Sequence, residues 1–444
     1  MSRTVIAGFG SAGYAALVTI KRNNPKAEII IVDPKEHDLT HPCGLPYALE
    51  NKVPEHELQQ NINLPRMGVE KISAYATGIN VDEKKLIYSD GTREGALSYD
   101  NLLICTGSVP FVPPIDGVSS FLNNGVYTLT SIAGLRQIKE AAGGATRAVV
   151  IGAGAIGLEC ALALKILGVN TTVIEMRKNV LPGVLDPDMA KVVELYLEKT
   201  GIDLVTGTTV DAIEGSDRVS RVIAGDLRVD TNMVVLASGF RPNTTWLEGL
   251  PVKMDRMGNI QVNDLLETGL PGVYAAGDCI LSWSRIDREP VGAKLATSAY
   301  KQGIAAGTSL SGGKGEYLGT AGTFVTKIGQ LEVAGTGFTM ETARERGFLP
   351  VQGKITSYVL PDYYPGGNDI TVKIICDNDS GAVLGGQAIG ISGAAERVNI
   401  ISMAIEYGTG VDNLARLEMA YCPPVSEVHD PLMRAVEFAM RRRK

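Results

Sequence analysis

The chain has 444 residues, 45% of them hydrophobic and 20% charged, with a net charge of −7, and that length implies two to four domains rather than one core. The mildly acidic balance excludes the basic footprint of a nucleic-acid binder and gives no general attraction to anionic membranes. No apolar run approaches the roughly 18 residues of a membrane span, and a strand pattern begins just after Met1, so a cytoplasmic protein without a signal peptide is expected.

The first predicted unit, Thr4 to Asp33, reads TVIAGFGSAGYAALVTIKRNNPKAEIIIVD: a strand, a glycine loop, a helix and a second strand. Gly8, Gly10 and Gly13 stand in G-x-G-x-x-G order, which allows a tight turn, lets amides approach a pyrophosphate, and packs the helix close to the strand. Ser11 and Ala12 open the helix, whose N-terminus favours phosphate. Asp33, with Pro34 behind it, falls where a carboxylate accepts from ribose hydroxyls. HPCGLPYALE follows, with Cys43 between Pro42 and Gly44 and ahead of a helix pattern over PYALEN. LLICTGSVP, carrying Thr106 and Gly107, then reads as a strand and turn that close the unit.

The whole unit recurs as RAVVIGAGAIGLECALALKILGVNTTVIEMRK. Gly152, Gly154 and Gly157 repeat the loop, Ala155 and Ile156 open the helix, and Glu175 takes the place of Asp33. Glu175 accepts from a free 2′-hydroxyl and repels a 2′-phosphate, which points to NADH; Arg177 and Lys178 leave NADPH open. VVLASGFRPN, with Gly239, closes this unit as TGSVP closes the first. GVYAAGDCI is another buried strand, with Gly277 and Asp278 at its end and a helix pattern from Ala296. Two dinucleotides in one chain imply a flavin and a nicotinamide, with Asp278 on the ribityl hydroxyls and the Ala296 helix facing the flavin carbonyls. The last third predicts strands in TFVTKIGQLEVAGTG and around the DNDSG turn, a helix over ERVNIISMAIEY ended by Gly408, and a basic RRRK end suited to a helix C-terminus. Six cysteines, at 43, 105, 160, 279, 376 and 422, show no C-x-x-C pair, zinc spacing or disulfide framework, so no metal is expected.

Together GFGSAG, CGLPY, TGSVP, GAGAIGLE, SGFRPN, AAGD, YYPGG and YCPPVSEVHDP resemble the FAD-dependent pyridine nucleotide-disulfide oxidoreductases. The single cysteine in CGLPY and the tyrosine motifs are most similar to coenzyme A-disulfide reductases and archaeal relatives labelled NADH oxidases. The resemblance implies an α/β fold with two Rossmann-like dinucleotide-binding domains and a C-terminal α+β dimerisation domain. It likewise implies that the FAD domain (1–115 and 245–321) is interrupted by the NAD(P) domain (116–244), and that residues 322–444 form a homodimer with shared active sites.

On this reading Cys43 becomes a thiolate aided by the following helix, receives electrons from NADH or NADPH through FAD, and reduces a small disulfide or persulfide of coenzyme A type; at rest it holds a mixed disulfide. From composition alone Cys43 reads equally as a small filler at a turn. The resemblance implies that Tyr421 reaches the partner's thiol, assisted by Tyr363 or Tyr364, and that Glu159 lies near nicotinamide and flavin. The tyrosines also read as interface aromatics, Glu159 as a helix-surface carboxylate, and His429 as either a further acid or an interface residue. Arg22, Arg66 and Lys301 are candidates for coenzyme A phosphates, more commonly solvated cations. Cys422 is a candidate resolving thiol, while the other four cysteines read as small hydrophobes. Rival readings are an NADH oxidase or peroxidase cycling through a sulfenic acid, a sulfur or polysulfide reductase, and a flavin-bound redox sensor. Ser11 stands where oxidase and peroxidase relatives tend to carry a histidine.

Overall fold

The computed structural model describes residues 2–443. Apolar runs such as EIIIV build a five-stranded parallel sheet in the order Val273–Ala275, Asn101–Ile104, Arg3–Ala7, Glu28–Val32, Val69–Ile72. Its central strands are apolar at nearly every position because both faces are covered, as parallel sheets require. The same device is built a second time, in the order Val126–Thr128, Val234–Leu236, Arg147–Ile151, Asn170–Glu175, Asp203–Thr206. Each unit also has a three-stranded antiparallel ribbon, Tyr75–Asn80, Lys85–Ser89 and Glu94–Ser98 in the first, Ala212–Gly215, Val219–Ala224 and Leu227–Asp230 in the second. Strand Val273–Ala275 joins the first sheet although the whole second sheet precedes it in the chain.

Helices Ser11–Asn23 and Ala296–Leu310 run side by side across the first sheet. Small residues set their spacing: a Cβ on Gly303 would lie 2.2 Å from the Ala12 carbonyl oxygen, and one on Gly307 2.8 Å from that of Ala16. The contacts advance in the same direction along both helices, so their N-termini end at the same edge of the sheet, beside Gly277.

The C-terminal part is a five-stranded antiparallel sheet in the order Phe324–Ile328, Leu331–Gly337, Val383–Gly390, Asp369–Asp377, Pro350–Tyr358. Helices Ala394–Glu406 and Pro431–Arg442 share one core with Ile370, Val372, Ile374 and Ala388. On its opposite face Ile328, Val333 and Ile389 join the core of the second unit with Met189 and Leu197. A buried ionic knot ties the same two bodies: Lys373 Nζ lies 2.8 Å from Asp186 Oδ2 and 2.7 Å from Asp188 Oδ1. Gln387 accepts from the Asp186 amide and donates to its carboxylate, and the Met340 amide donates to Asp186 Oδ1.

The fold class is the α/β arrangement expected, with two Rossmann-like sheets and a separate α+β body. The DNDSG turn joins strands Asp369–Asp377 and Val383–Gly390, and Gly408 follows its helix in the left-handed region at φ +62°. The helix expected over PYALEN is shorter, Leu45–Leu49, because Asn51 takes φ +64° and stops it. In the basic end Arg441 pairs with Glu437 and Arg443 with Asp412, while Lys444 lies outside the described residues. Among the described residues no helix is long and apolar enough to cross a membrane, and no group of His, Cys, Asp or Glu is placed to hold a metal ion.

Candidate active site

The two glycine loops are built alike. Gly8 has φ +91°, and a Cβ there would lie 2.3 Å from the Cys105 carbonyl oxygen; one on Gly13 would lie 2.7 Å from the Gly8 oxygen. Gly152 has φ +108°, and a Cβ there would lie 2.5 Å from the Ala237 oxygen; one on Gly157 would lie 2.1 Å from the Gly152 oxygen. The middle glycines differ: a Cβ on Gly10 or Gly154 meets nothing within 4 Å. The outer glycines thus serve packing, and the middle ones face the space a pyrophosphate would fill.

The terminal acids fasten these loops. Asp33 accepts from the Phe9 amide at 2.7 Å, and Glu175 from the Ala153 amide at 2.8 Å. Asp33 is also paired with Lys35 at 2.6 Å, with Pro34 exposed between them, while Glu175 accepts from the Arg177 amide at 2.8 Å. Helices starting at Ser11, Ala155 and Ala296 have no side-chain cap, whereas Ser131, Thr339 and Asp430 cap theirs. Ala12 is buried and Ile156 half-buried, each in the first turn of its helix. Uncapped amides behind glycine loops are donors suited to an anion. The residues therefore fit two dinucleotides.

Gly152→Ala is expected to destabilise by at least about 1–2 kcal/mol from the left-handed backbone alone, before the steric overlap. Gly154→Ala should keep the wild-type unfolding midpoint and lose affinity for NADH, which separates packing from cradle in one pair of urea and binding titrations.

The closing turns of the units meet. Ser108–Pro110 pairs antiparallel with Phe240–Pro242, the Thr106 hydroxyl donates to the Asn243 carbonyl at 2.7 Å, and the Asn243 amide donates to the Gly107 oxygen at 2.9 Å. Asp278 accepts from the Ser108 hydroxyl at 3.0 Å, and Lys294 Nζ donates to the Asp278 backbone oxygen at 2.5 Å. Burial raises the Asp278 pKa; the Ser108 hydrogen bond and Lys294 pull it back. The Gly277 amide donates to the buried Gln302 at 2.7 Å, which anchors this turn to the Ala296 helix. A cleft of about 840 Å³ runs between Gly239 and Phe240 on one side and Lys294 and Leu295 on the other, which is a size suited to a ligand.

Cys43 sits in a single 3-10 turn, Pro42–Gly44, and is exposed. Solvent reaches it, although neighbouring protein desolvates the sulfur in part. That partial burial, then the Glu159 and Asp278 carboxylates, pushes its pKa above the ordinary thiol value, against the pull of a backbone hydrogen bond. The following helix has only five residues, and its dipole does not outweigh these groups. A low thiol pKa, expected from the helix pattern, is therefore not a property of the protein groups around this sulfur.

Glu159, on helix Ala155–Ile166, accepts at Oε1 from the Thr326 hydroxyl at 2.5 Å and the Tyr47 hydroxyl at 3.3 Å. Burial raises its pKa, while those hydroxyls and the Lys327 amide hold it down. Tyr47 is pushed up to about 12 by burial and by Glu159. Neither Tyr47 nor Thr326 was among the residues the sequence singled out. Tyr47 carries a signal in its four-residue spacing from Cys43; Thr326 carries none.

The tyrosine motifs come together within one chain: the Tyr363 and Tyr421 hydroxyls lie 3.0 Å apart, and that hydrogen bond, followed by partial desolvation, pushes Tyr421 up to about 12. The structure distinguishes Tyr363 from Tyr364, whose ring is exposed without joining this pair. His429 binds Glu437 at 3.0 Å. Arg22, Arg66, Lys301, Arg177 and Lys178 are exposed. Cys422 is exposed beside Tyr421, whereas Cys105, Cys160, Cys279 and Cys376 are buried, with burial raising each pKa.

Two dinucleotide cradles in one chain, with an exposed thiol on which carboxylates of both units act, suit the transfer of an electron pair from a carried hydride to a sulfur acceptor, the work of a dinucleotide-dependent redox enzyme. The chain belongs to the pyridine nucleotide-disulphide oxidoreductases: the family profile matches residues 2–303, and that of the family's dimerisation domain residues 323–432. It is an oxidoreductase whose cofactors are FAD and NAD(P)H. Over 459 residues it is 35% identical to an NADH oxidase of Methanocaldococcus jannaschii, covering 99% of each chain. It is 30% identical to a CoA-dependent NAD(P)H sulfur oxidoreductase of Pyrococcus furiosus, covering 97% of each. A solved NAD-dependent persulfide reductase from A. fulgidus superposes with a TM-score of 0.95 at 34% identity, over 99% of this chain and 83% of that one.

Proposed function

We propose that the chain is an NAD(P)H-dependent reductase of coenzyme A-type disulfides or persulfides that uses Cys43 as its only redox thiol. We take it to act as a cytoplasmic homodimer divided at 1–115, 116–244, 245–321 and 322–444, a compartment consistent with six unpaired thiols. The observation that carries the reading is the isolation of Cys43. It is the exposed thiol whose charge is felt by both Glu159 and Asp278, and four of the other five cysteines are buried. The relatives named for CoA-dependent sulfur and persulfide reduction support the choice of acceptor.

FAD belongs on the Gly8 to Gly13 loop, with Asp33 and Pro34 at its ribose and Thr106, Gly107, Gly277, Asp278 and the Ala296 helix along its length. When bound, it supplies the ring that accepts hydride from NAD(P)H and returns the electron pair to sulfur. The Gly152 to Gly157 loop, Glu175, Gly239 and Glu159 belong to the nicotinamide dinucleotide, and the buried Glu175 carboxylate favours NADH. In the resting enzyme Cys43 holds a mixed disulfide with a small thiol. Once freed, its thiolate attacks one sulfur of R–S–S–R, the Cys43–S–S–R bond forms, and R–S⁻ leaves. Tyr421 with Tyr363 behind it donates a proton to that leaving thiolate across the dimer. The sum is NADH + H⁺ + R–S–S–R → NAD⁺ + 2 R–SH.

The second reading, reduction of oxygen or peroxide through a Cys43 sulfenic acid, is favoured by the name of the M. jannaschii relative. NADH consumption measured in parallel with CoA disulfide, CoA persulfide, polysulfide, peroxide and oxygen separates the two. The expected result is fastest turnover with the CoA acceptors; faster turnover with oxygen or peroxide would replace the first reading with the second, and turnover with none would leave a redox sensor.

A further inference from the structure

Three parts of the chain converge on one carboxylate oxygen. Glu159 belongs to the second unit, Tyr47 lies four residues beyond Cys43 in the first, and Thr326 stands in the opening strand of the C-terminal sheet. Thr326 donates to Oε1 at 2.5 Å and Tyr47 to the same oxygen at 3.3 Å. The residues of strand Phe324–Ile328 therefore reach the surroundings of the redox thiol, and Ile328, Val333 and Ile389 of their sheet share one core with Leu45, Ala48 and Leu49 of the redox helix.

We propose that Thr326 is a positioning residue: by holding the Glu159 carboxylate from the dimerisation domain, it fixes the place and charge of the group that Tyr47, four residues beyond Cys43, also binds. This rests on the reading of Cys43 as the redox thiol. Thr326 is buried, so water competes little for its hydroxyl, and its bond to the carboxylate, once that is ionised, is of the stronger, charge-assisted kind. Glu159 faces Tyr47 and Glu50 on the redox helix and its flank, the Lys327 amide on the strand, and the Cys160 thiol on its own helix. Lys52 is paired with Glu50 at 2.8 Å, and Lys52, Lys165 and Lys327 stand around a cavity of about 360 Å³ that Tyr47 and Glu159 also line. Burial favours the protonated acid and the Thr326 bond favours the anion, so losing the bond moves the Glu159 titration to higher pH. The Glu159 anion in turn disfavours the thiolate of Cys43.

The test is the pH dependence of two quantities in the FAD-loaded enzyme: iodoacetamide alkylation of Cys43 after reduction, and NADH-driven disulfide turnover. In Thr326→Val the acidic inflection should move up by roughly one pH unit, and Thr326→Ser should restore it. Glu159→Gln should remove that inflection and lower the thiol inflection. A Thr326→Val curve that superimposes on the wild type, or that falls by one factor at every pH with its inflections unmoved, would overturn the proposal. If Thr326→Val does not assemble, Tyr47→Phe removes the second donor to the same oxygen and is held to the same upward shift. Failure of the underlying reading looks different: the wild-type enzyme would then lack disulfide-dependent turnover while its alkylation curve could still be recorded.

Discussion

Cys43→Ser is expected to lower disulfide-dependent oxidation of NADH by at least about three orders of magnitude, the scale on which an enzyme loses its only nucleophile. A serine hydroxyl at this position cannot form the mixed disulfide, and the exposed Cys422, which lies beside Tyr421 in the dimerisation domain, is the one other thiol open to solvent among the described residues. Cys105, Cys160 and Cys279 are fully buried, and burial holds all three thiols in the protonated form. FAD content and unfolding midpoint should stay at wild-type values, because the Cys43 side chain is exposed and its removal opens no cavity. Steady-state rates with CoA disulfide check the first expectation and flavin absorbance the second. Retention of more than about a tenth of the turnover would mean that sulfur at this position is not the electron carrier.

Lys373→Met is expected to cost roughly 3–5 kcal/mol, the range for breaking a buried ion pair on one side. The Lys373 side chain is 2% exposed and that of Asp186 3%, so the remaining carboxylate is left charged away from water. Gln387 and the Met340 amide still hold it, but neither carries a compensating charge. The loss should appear as a lower urea midpoint at fixed protein concentration, without loss of the Cys43 thiol's reactivity. Asp186→Asn added to Lys373→Met should cost less than the two single changes summed, since they share one interaction. A fall below about 1 kcal/mol would place the knot in effective contact with solvent.

Much of this fold was legible because it is local and repeated. The two glycine loops, their helices and the acids Asp33 and Glu175 lie within single strand–helix–strand units, where periodicity and spacing suffice. What escaped notice depends on distant pairings. Lys373 is a single cation in the mainly apolar strand Asp369–Asp377, and nothing near it in the sequence signals that it is buried against Asp186 from another body. Thr326 and Lys294 are single polar residues without period or motif: the docking of the C-terminal sheet brings Thr326 to Glu159, and the loop before helix Ala296–Leu310 folds Lys294 back onto Asp278. Tyr363 and Tyr364 are adjacent in sequence, and the turn from Pro361 to Tyr364 decides which of them meets Tyr421. The surroundings of Cys43 also outran the motif: a helix pattern suggested a lowered thiol pKa, but partial burial and then two carboxylates from other segments push it up.

The most direct measurement is an anaerobic titration of the resting, FAD-loaded enzyme with NADH, followed by assay of the small thiol released. The account predicts about two NADH consumed per subunit, one for the flavin and one for the mixed disulfide on Cys43, with about one thiol set free. Consumption of a single equivalent with no thiol released, and an unmodified Cys43 in the starting material, would contradict it.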